Sequence, residues 1–174
     1  MSVSSTTTKN SYSGNGSTTA FAYGFKIFAD ADLQVIIQAA TGVETIKTLA
    51  THYTVSNAGN DSGGNVTFTA GNTPAAGQTV VIRRNLALTQ LTDYVENDPF
   101  PAESHENALD RLTMISQGIN EEISRVPRFP VTSSLTDVEL PLTLTANTAL
   151  IVNAGATGYT NGPTASQISG AEAS

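Results

Sequence analysis

The chain has 174 residues, of which 39% are hydrophobic and only 13% charged, and it contains no cysteine and no tryptophan. The formal net charge of −7, with no basic run longer than the pair Arg83 and Arg84, argues against a nucleic-acid partner. Without cysteine there are no disulfides or zinc-thiolate sites, and no apolar run approaches the length that a membrane span needs.

The first half of the chain is rich in hydroxyl side chains and in turn residues. Residues 1–17 consist largely of Ser, Thr, Asn and Gly and are predicted to form a polar N-terminal arm, either disordered or docked on another surface. Residues 18–95 are predicted to form a β head. Its first strand carries the alternating residues Phe21, Tyr23, Phe25 and Ile27. Further strands are predicted at residues 33–39, 43–49, 52–55, 66–69 and 79–84.

The spacing of these strands decides the fold class. Short strands about 10 residues apart, separated by Gly-containing turns, are typical of an antiparallel β-sandwich or a barrel-like head. The chain is therefore predicted to be mainly β, with one long amphipathic helix and a small β or extended segment after the head.

The predicted helix begins near Ala102, where the apolar spacing changes from two to three and four. We call its apolar stripe the seam, which comprises Leu109, Leu112, Ile115, Ile119, Ile123 and Val126. Successive residues of the seam are three or four positions apart, which predicts an amphipathic helix of about 22–25 residues. Two uses of the seam stay open: packing on the head of the same chain, or packing in a three-stranded bundle, which Ile at core positions favours. The stripe is broad enough for both, and Gly118 is a candidate for a close helix–helix approach.

The residues between head and helix are predicted to form a stiff corner. We call this the head–helix corner, and it comprises Asp98, Pro99, Phe100 and Pro101. The two prolines fix the backbone, and Pro101 suits the first turn of a helix because its missing N–H would be unpaired there. The corner and helix together occupy residues 96–128.

Residues 129–174 are predicted to be a connector that leads towards a fibre shaft or a partner protein. Strands are predicted at residues 138–145 and 149–152, a turn at 153–159, and a weak helix from residue 164. The helical pattern runs to residue 174 without a capping residue, so we expect the natural chain to continue.

Residues with catalytic chemistry are few. The two histidines, His52 and His105, lie in a predicted strand and in the first turn of the predicted helix, and neither belongs to a nucleophile or metalloprotease motif. The carboxylates of Asp30, Asp32 and Asp61 lack the ligand spacing of a calcium loop and are interpreted as turn residues. We therefore expect no catalytic residue, no metal, no cofactor and no enzymatic activity.

Several segments carry a resemblance to a known family. The run IRRNLALTQLTDYVENDPFPAESHENALDRLTMI, residues 82–115, closely resembles the N-terminal, virion-anchoring domain of tail fibre and tailspike proteins from short-tailed, T7-like phages. The segments YSGNGSTTAFAYGFKIFADADLQVII, THYTVSNAGNDSGGNVTFT and PAAGQTVVIRR resemble further family motifs in the same order. His52 stands where the family commonly has Asp. The resemblance covers about residues 8–126.

The resemblance implies a structural module of the virion tail, assembled in the cytoplasm of the bacterial host. Its head would fasten a homotrimer to the tail adaptor and nozzle (tail tubular) proteins, and its helices would form a three-stranded bundle. The part that recognises the host or degrades polysaccharide would lie further towards the C-terminus, or on a separate receptor-binding fibre or spike protein. Two alternatives stay open: the anchor segment of a polysaccharide-degrading tailspike, and a monomeric β-sandwich binding module.

Overall fold

In a computed structural model, the chain is described at residues 3, 5–95, 101–134, 140–141 and 143–171. It divides into two compact units, Met1–Val126 and Pro127–Ser174. In the first unit the strands are β1 (Lys9–Ser13), β2 (Ala20–Tyr23), β3 (Leu33–Gln38), β4 (Glu44–Lys47), β5 (Tyr53–Val55), β6 (Gly64–Phe68) and β7 (Thr79–Arg84). They are followed by the helix α1 (Ala102–Ile123).

Two antiparallel sheets build the head. One has the strand order β1-β7-β3-β4 and the other the order β2-β6-β5. Buried and partly exposed residues alternate strictly along β3 and β7, as the two-residue period of a half-buried strand requires. One apolar cluster draws on both sheets, with Val35, Ile37, Val80 and Ile82 from the first and Phe21, Tyr53, Val66 and Phe68 from the second. The prediction of a mainly antiparallel β head is confirmed.

The first predicted strand is shorter than its alternation indicates. The ladder of β2 ends at Tyr23, yet Phe25 and Ile27 remain fully buried beyond it. The backbone carbonyl of Ile27 accepts a hydrogen bond from the N–H of Gly59, at 2.8 Å, instead of joining a sheet. The apolar alternation therefore reports burial correctly here, but a loop takes the hydrogen bonds of the partner strand.

A strand lies inside the predicted polar arm. Residues 9–13 form β1, which pairs with β7 from Lys9 opposite Arg83 to Ser13 opposite Thr79. Tyr12 packs on Phe21, with ring centroids 5.5 Å apart. An edge strand needs backbone pairing more than apolar side chains, which is why composition alone assigned these residues to the arm.

The helix α1 confirms the long predicted helix. It begins after Pro101, which is its N-cap residue in extended conformation, and ends before Ser124. An i,i+4 pair spans its C-terminal end, since Nη2 of Arg125 lies 3.0 Å from Oε2 of Glu121. Asp98, Pro99 and Phe100 lie outside the described residues, so the head–helix corner stays a prediction.

The second unit is a hairpin followed by one short helix. The strands β8 (Thr148–Val152) and β9 (Tyr159–Thr164) pair antiparallel, and α2 (Ala165–Ala171) follows. The strand predicted at 138–145 is wrong in its described part, residues 140–141 and 143–145, which belong to no strand. Its other residues lie outside the described part of the chain, and β9 was not predicted. None of the side chains described in this unit is buried, because a two-stranded hairpin has no second layer to cover it.

Candidate functional site

The seam of α1 is open to solvent in the single chain. Leu112 is 62% exposed and Ile119 is 46% exposed, and Leu109, Ile123 and Val126 are exposed to a similar degree. Ile115 alone is half-buried. The seam therefore does not pack on the head, which was one of the two uses that the sequence left open.

The opposite face of α1 lies on the head. Its described residues Asp110 and Met114 are buried, and Gln117 and Glu121 are half-buried one turn after the other. These four residues follow the same steps of three and four as the seam, displaced around the helix. A polar face thus contacts the head, and the apolar face points away from it.

A buried lysine connects the helix to the head. Nζ of Lys26, in the segment after β2, lies 3.1 Å from Oδ2 of Asp110 and 3.1 Å from Oδ1 of Asp61. The other carboxylate oxygen of Asp110 accepts a hydrogen bond from the backbone N–H of Val3 at 3.0 Å. Burial alone would lower the pKa of Lys26, but the two carboxylates outweigh it and the pKa is raised, so the ammonium stays charged.

A second contact of the helix runs through a buried arginine. The guanidinium of Arg84, at the end of β7, donates to the side-chain oxygen of Gln117 and, at 3.1 Å, to the carbonyl of Lys26. It also lies over the ring of Phe25, 5.7 Å from the centroid. Nε2 of Gln117 in turn donates to the carbonyl of Ser5 at 3.0 Å. Burial lowers the pKa of Arg84 from its ordinary value.

Ion pairs flank these two contacts. Glu121 pairs with Lys9 at 2.7 Å and with Arg125 at 3.0 Å. Burial alone would raise the pKa of Glu121, but these two cations lower it below its ordinary value. Two further pairs join α1 to the head, namely Arg83 with Glu122 at 3.0 Å and Arg111 with Asp32 at 3.8 Å.

The segment after β7 extends the open apolar surface. We call Leu88, Leu91, Tyr94 and Val95 the apolar flank, since all four are exposed. Leu88, Leu91 and Tyr94 line a cleft of about 340 Å³ together with Leu112 and Ile115 of α1. Sequence reasoning missed the flank because these residues follow neither a strand nor a helix period. The only signal was the resemblance that covers residues 82–115.

His52, His105, Asp32 and Asp61, which were the main candidates for chemistry, have structural partners. Nδ1 of His52 accepts a hydrogen bond from the N–H of Thr48 at 3.0 Å, and Nδ1 of His105 lies 3.3 Å from the hydroxyl of Tyr94. Oδ2 of Asp32 accepts from the N–H groups of residues 28 and 29. Across the residues that the structure describes, no group of three or more His, Asp or Glu side chains is arranged to hold a metal ion.

Two further observations bear on the sequence predictions. A Cβ placed on Gly118 would meet nothing within 4 Å, so no element among the described residues approaches the helix closely there. Among the described helices, none is long and apolar enough to cross a membrane.

The geometry defines a class of module: a two-sheet β head that carries a helical stem with an unpacked apolar seam. No family model matches the chain. The chain is 40% identical over 131 residues to the tail spike protein of Salmonella phage epsilon15. The match covers 75% of this chain and 12% of that protein. Because the match is much longer than the second unit, most of it falls in the head and α1.

The chain is therefore related to a phage tail spike protein over three quarters of its length. This confirms the resemblance to phage tail proteins of the spike type. The narrower assignment to the T7-like group stays a prediction. The chain spans about one eighth of the relative's length, so the match says nothing of what the remainder of that relative does.

Proposed function

We propose that this chain is a structural module of a phage tail, the N-terminal anchor of a homotrimeric tail fibre or spike. In this proposal the head docks on the tail adaptor and nozzle proteins, and α1 holds three copies together so that host receptors are engaged downstream. The module is part of the virion tail and is assembled in the cytoplasm of the bacterial host. A separate receptor-binding fibre or spike protein is a further partner in the case of a short adaptor.

The observation that carries the proposal is the exposure of the seam on a helix whose other face is already in use. Completely burying a Leu or Ile side chain contributes about 1.5–3 kcal/mol relative to leaving it in water. The seam holds six such apolar positions, and the head covers only part of one of them, Ile115. Association with further copies of the same helix buries the others without disturbing the head.

The spacing of the seam fits identical helices in parallel. Leu112, Ile119 and Val126 recur every seven residues, and Leu109 and Ile123 belong to the second heptad position, with Ser116 between them. In a parallel bundle each residue meets its own counterparts in one layer, so two layers of Leu are followed by one of Ser, two of Ile and one of Val. Ile at core positions favours three strands over two, which supports a trimer.

Electrostatics does not oppose self-association at the seam itself. The chain carries a net charge of −7, so three copies repel one another on average. The charged residues of α1 from Asp110 onwards are paired with the head or with each other: Asp110, Arg111, Glu121, Glu122 and Arg125 all form ion pairs. None of them belongs to the seam, so close approach of three helices brings no like charges together there.

The composition of the head supports docking on a partner. The chain contains 25 Thr and 16 Ser, and 10 of its 23 charged residues fall within residues 96–128. A polar surface with few ions is covered by a partner at a small cost of ion desolvation. In a trimer the three weak head contacts are linked, so the trimer binds the tail much more tightly than a single head does.

Solution mass tests the proposal directly. We expect the 18.1 kDa chain to sediment as a trimer, and the pair of changes Ile119→Asp and Ile123→Asp to give a monomer that keeps its β circular-dichroism signal. The pair of changes Ser104→Asp and Asn107→Asp adds the same two charges to exposed residues of α1 outside the seam and should leave the trimer intact. A wild-type monomer at micromolar concentration contradicts the trimer and favours the monomeric binding module.

Tail binding tests the anchoring part of the proposal. Purified tails that lack fibres should bind the wild-type chain and should lose most of that binding when the seam carries the two Asp residues, because avidity is lost. A trimer that does not bind tails would refute anchoring while leaving the trimer in place.

The second candidate is the anchor segment of a tailspike whose polysaccharide-degrading domain lies outside this chain. The short coverage of the relative favours it, since 131 matched residues are only 12% of a tail spike protein. Both candidates assign the same role to these residues. Release of reducing sugar from host surface polysaccharide distinguishes them: we expect none from these 174 residues, and activity from a longer product of the same gene identifies the enzymatic form.

A further inference from the structure

We propose that α1 rests on the head through a separable polar joint, which the N-terminal residues close like a strap. The strap comprises Val3, Ser5, Thr6, Thr8 and Lys9. All contacts of the joint lie within a single chain. The joint is therefore independent of the trimer and is additional to the anchoring function. It makes the angle between head and helix adjustable.

The joint buries little apolar surface. Met114 is the one fully buried apolar side chain among the described residues of α1. The remaining contacts are ion pairs and hydrogen bonds of Asp110, Arg111, Gln117 and Glu121. Polar groups that separate are hydrated by water, so opening such a joint loses far less free energy than pulling two apolar surfaces apart. The seam and the joint lie on opposite faces of α1. The polar joint therefore opens at a lower cost in free energy than a seam that is packed against other helices.

The strap follows the helix along its length. The N–H of Val3 contacts Asp110, the carbonyl of Ser5 contacts Gln117, and Nζ of Lys9 contacts Glu121. The contacts advance in the same direction on both segments, so the strap runs parallel to α1. Eleven helical residues rise about 16 Å, and a chain of six residues reaches at most about 20 Å, so the strap is long enough to span these contacts.

The strap is anchored in the sheet at its far end. The carbonyl of Thr8 accepts a hydrogen bond from the N–H of Arg84 at 2.9 Å, and β1 begins at the next residue, Lys9. Thr6 and Thr8 also line a shallow cleft with Thr113 and Asn120 of the helix. One end of the strap is therefore fixed on the head, and the other end holds the helix.

A four-way contact locks the joint. Lys26 and Asp61 belong to two different segments of the head, Asp110 to the helix, and Val3 to the strap. The carboxylate of Asp110 is almost completely buried and uses one oxygen for Lys26 and the other for the strap. When the strap leaves, that oxygen loses the N–H of Val3 and must draw in water, which favours opening of the helix at this end.

The joint has a mechanical consequence. A head that is held by a partner can tilt against α1 without disturbing the seam, since the two contacts use opposite faces. A partner that captures the strap opens the joint, and high salt weakens it because its outer ion pairs are screened.

Distances between spin labels test the joint. The chain contains no cysteine, so Thr54→Cys in β5 and Ser104→Cys in α1 place one label on each side at exposed positions. Labelled chain diluted into unlabelled chain reports distances within one copy. We expect a single narrow distance distribution at low salt.

Substitutions in the strap test whether its contacts with α1 keep the joint closed, because each disruptive change has a conservative control at the same residue. Val3→Pro removes the N–H that donates to Asp110, whereas Val3→Ala keeps it; Lys9→Gln removes a cation, whereas Lys9→Arg keeps it. We expect the combination Val3→Pro and Lys9→Gln to broaden the distribution at least twofold, and further in about 1 M salt, where screening reaches contact distances. The combination Val3→Ala and Lys9→Arg should stay narrow.

Hydrogen exchange in β3 and β7 shows whether the head stays folded in the same samples. Broadening with full protection of these strands supports the joint. An unchanged narrow distribution in the strap variant at both salt concentrations overturns the proposal. Broadening together with lost protection also overturns it, because the strap would then hold the head itself together. Sedimentation of the same samples reports the trimer independently.

Discussion

Lys26 and Asp110 are separated by 84 residues in the chain and form an ion pair of 3.1 Å between Nζ and Oδ2. Their side chains are 11% and 5% exposed. Charges so deeply buried are tolerated only because each is paired and hydrogen-bonded, which Asp61 and the N–H of Val3 complete. The pair therefore holds α1 at one position on the head as long as the joint is closed.

Removing one partner of this pair should be costly. We expect Asp110→Ala to lower the free energy of unfolding by about 3 kcal/mol, since it takes a paired carboxylate from the buried ammonium. Asp61 limits the loss because it still pairs with Lys26. The double change Lys26→Met and Asp110→Leu should recover at least half of the loss. Urea titrations of Asp110→Ala, of Lys26→Met and of the double variant measure this, and additive losses in the double variant would show that the pair is not coupled.

The seam predicts a concentration-dependent stability. Ile119 is half exposed in the single chain, so Ile119→Ala changes the stability of a monomer by less than about 0.5 kcal/mol. In an assembled seam the same change removes buried methylene groups from every copy and lowers stability by about 2 kcal/mol or more per copy. Melting curves recorded over a hundredfold range of concentration distinguish the two cases, since the melting temperature of an assembled chain rises with concentration.

Two glycines should respond to alanine in opposite directions. Gly63 has φ of +81°, and a Cβ there would lie 1.9 Å from the carbonyl oxygen of Tyr23. Gly63→Ala should therefore cost at least about 3 kcal/mol, from backbone strain and from the clash. Gly118 lies in α1 with open space around it, so Gly118→Ala should stabilise a single chain by about 0.5–1 kcal/mol. Loss of trimer in Gly118→Ala would instead indicate that copies approach each other closely at this glycine.

Acid should weaken the joint through Glu121. Its pKa in the folded chain lies below the ordinary 4.5 because Lys9 and Arg125 outweigh its burial. The unfolded chain therefore binds the proton more readily, so the contribution of Glu121 is complete above about pH 4.5 and is lost as pH falls through the folded pKa. The wild type should show a fall in melting temperature as the pH is lowered from 6 to 3. We expect Glu121→Gln to reduce this fall.

The cations that lower this pKa provide the control. Lys9→Gln combined with Arg125→Gln removes both of them and should weaken the same acid sensitivity while leaving the carboxylate in place. If both variants keep the acid sensitivity of the wild type, Glu121 is not its source.

Alternation along the chain predicted most of the head. The buried sets Leu33, Val35, Ile37 and Val80, Ile82 follow from a two-residue period that any half-buried sheet imposes. The same rule failed for β1, because Lys9, Ser11 and Ser13 of this edge strand carry no apolar pattern to detect. It also failed for β9, whose sequence YTNGPT lacks alternation and whose pairing is made by the backbone of β8.

The apolar flank shows a different limit. Leu88 and Leu91 belong to no regular element, so their position beside Ile115 depends on how the chain leaves β7 and returns to α1. Periodicity carries no information on such a path. Hydrogen bonds fix part of it, as when Nη2 of Arg111 donates to the carbonyl of Ala87 at 3.0 Å.

Helical periodicity is a local property of the chain. It was therefore enough to predict that α1 exists, where it begins, and that an apolar stripe from Leu109 to Val126 runs along it. It did not determine which face meets the head. That choice depends on Lys9, Lys26 and Arg84, which lie far from the helix in sequence and offer charged and hydrogen-bonding groups to its polar face. Only the tertiary structure brings these groups together, and in doing so it leaves the seam open.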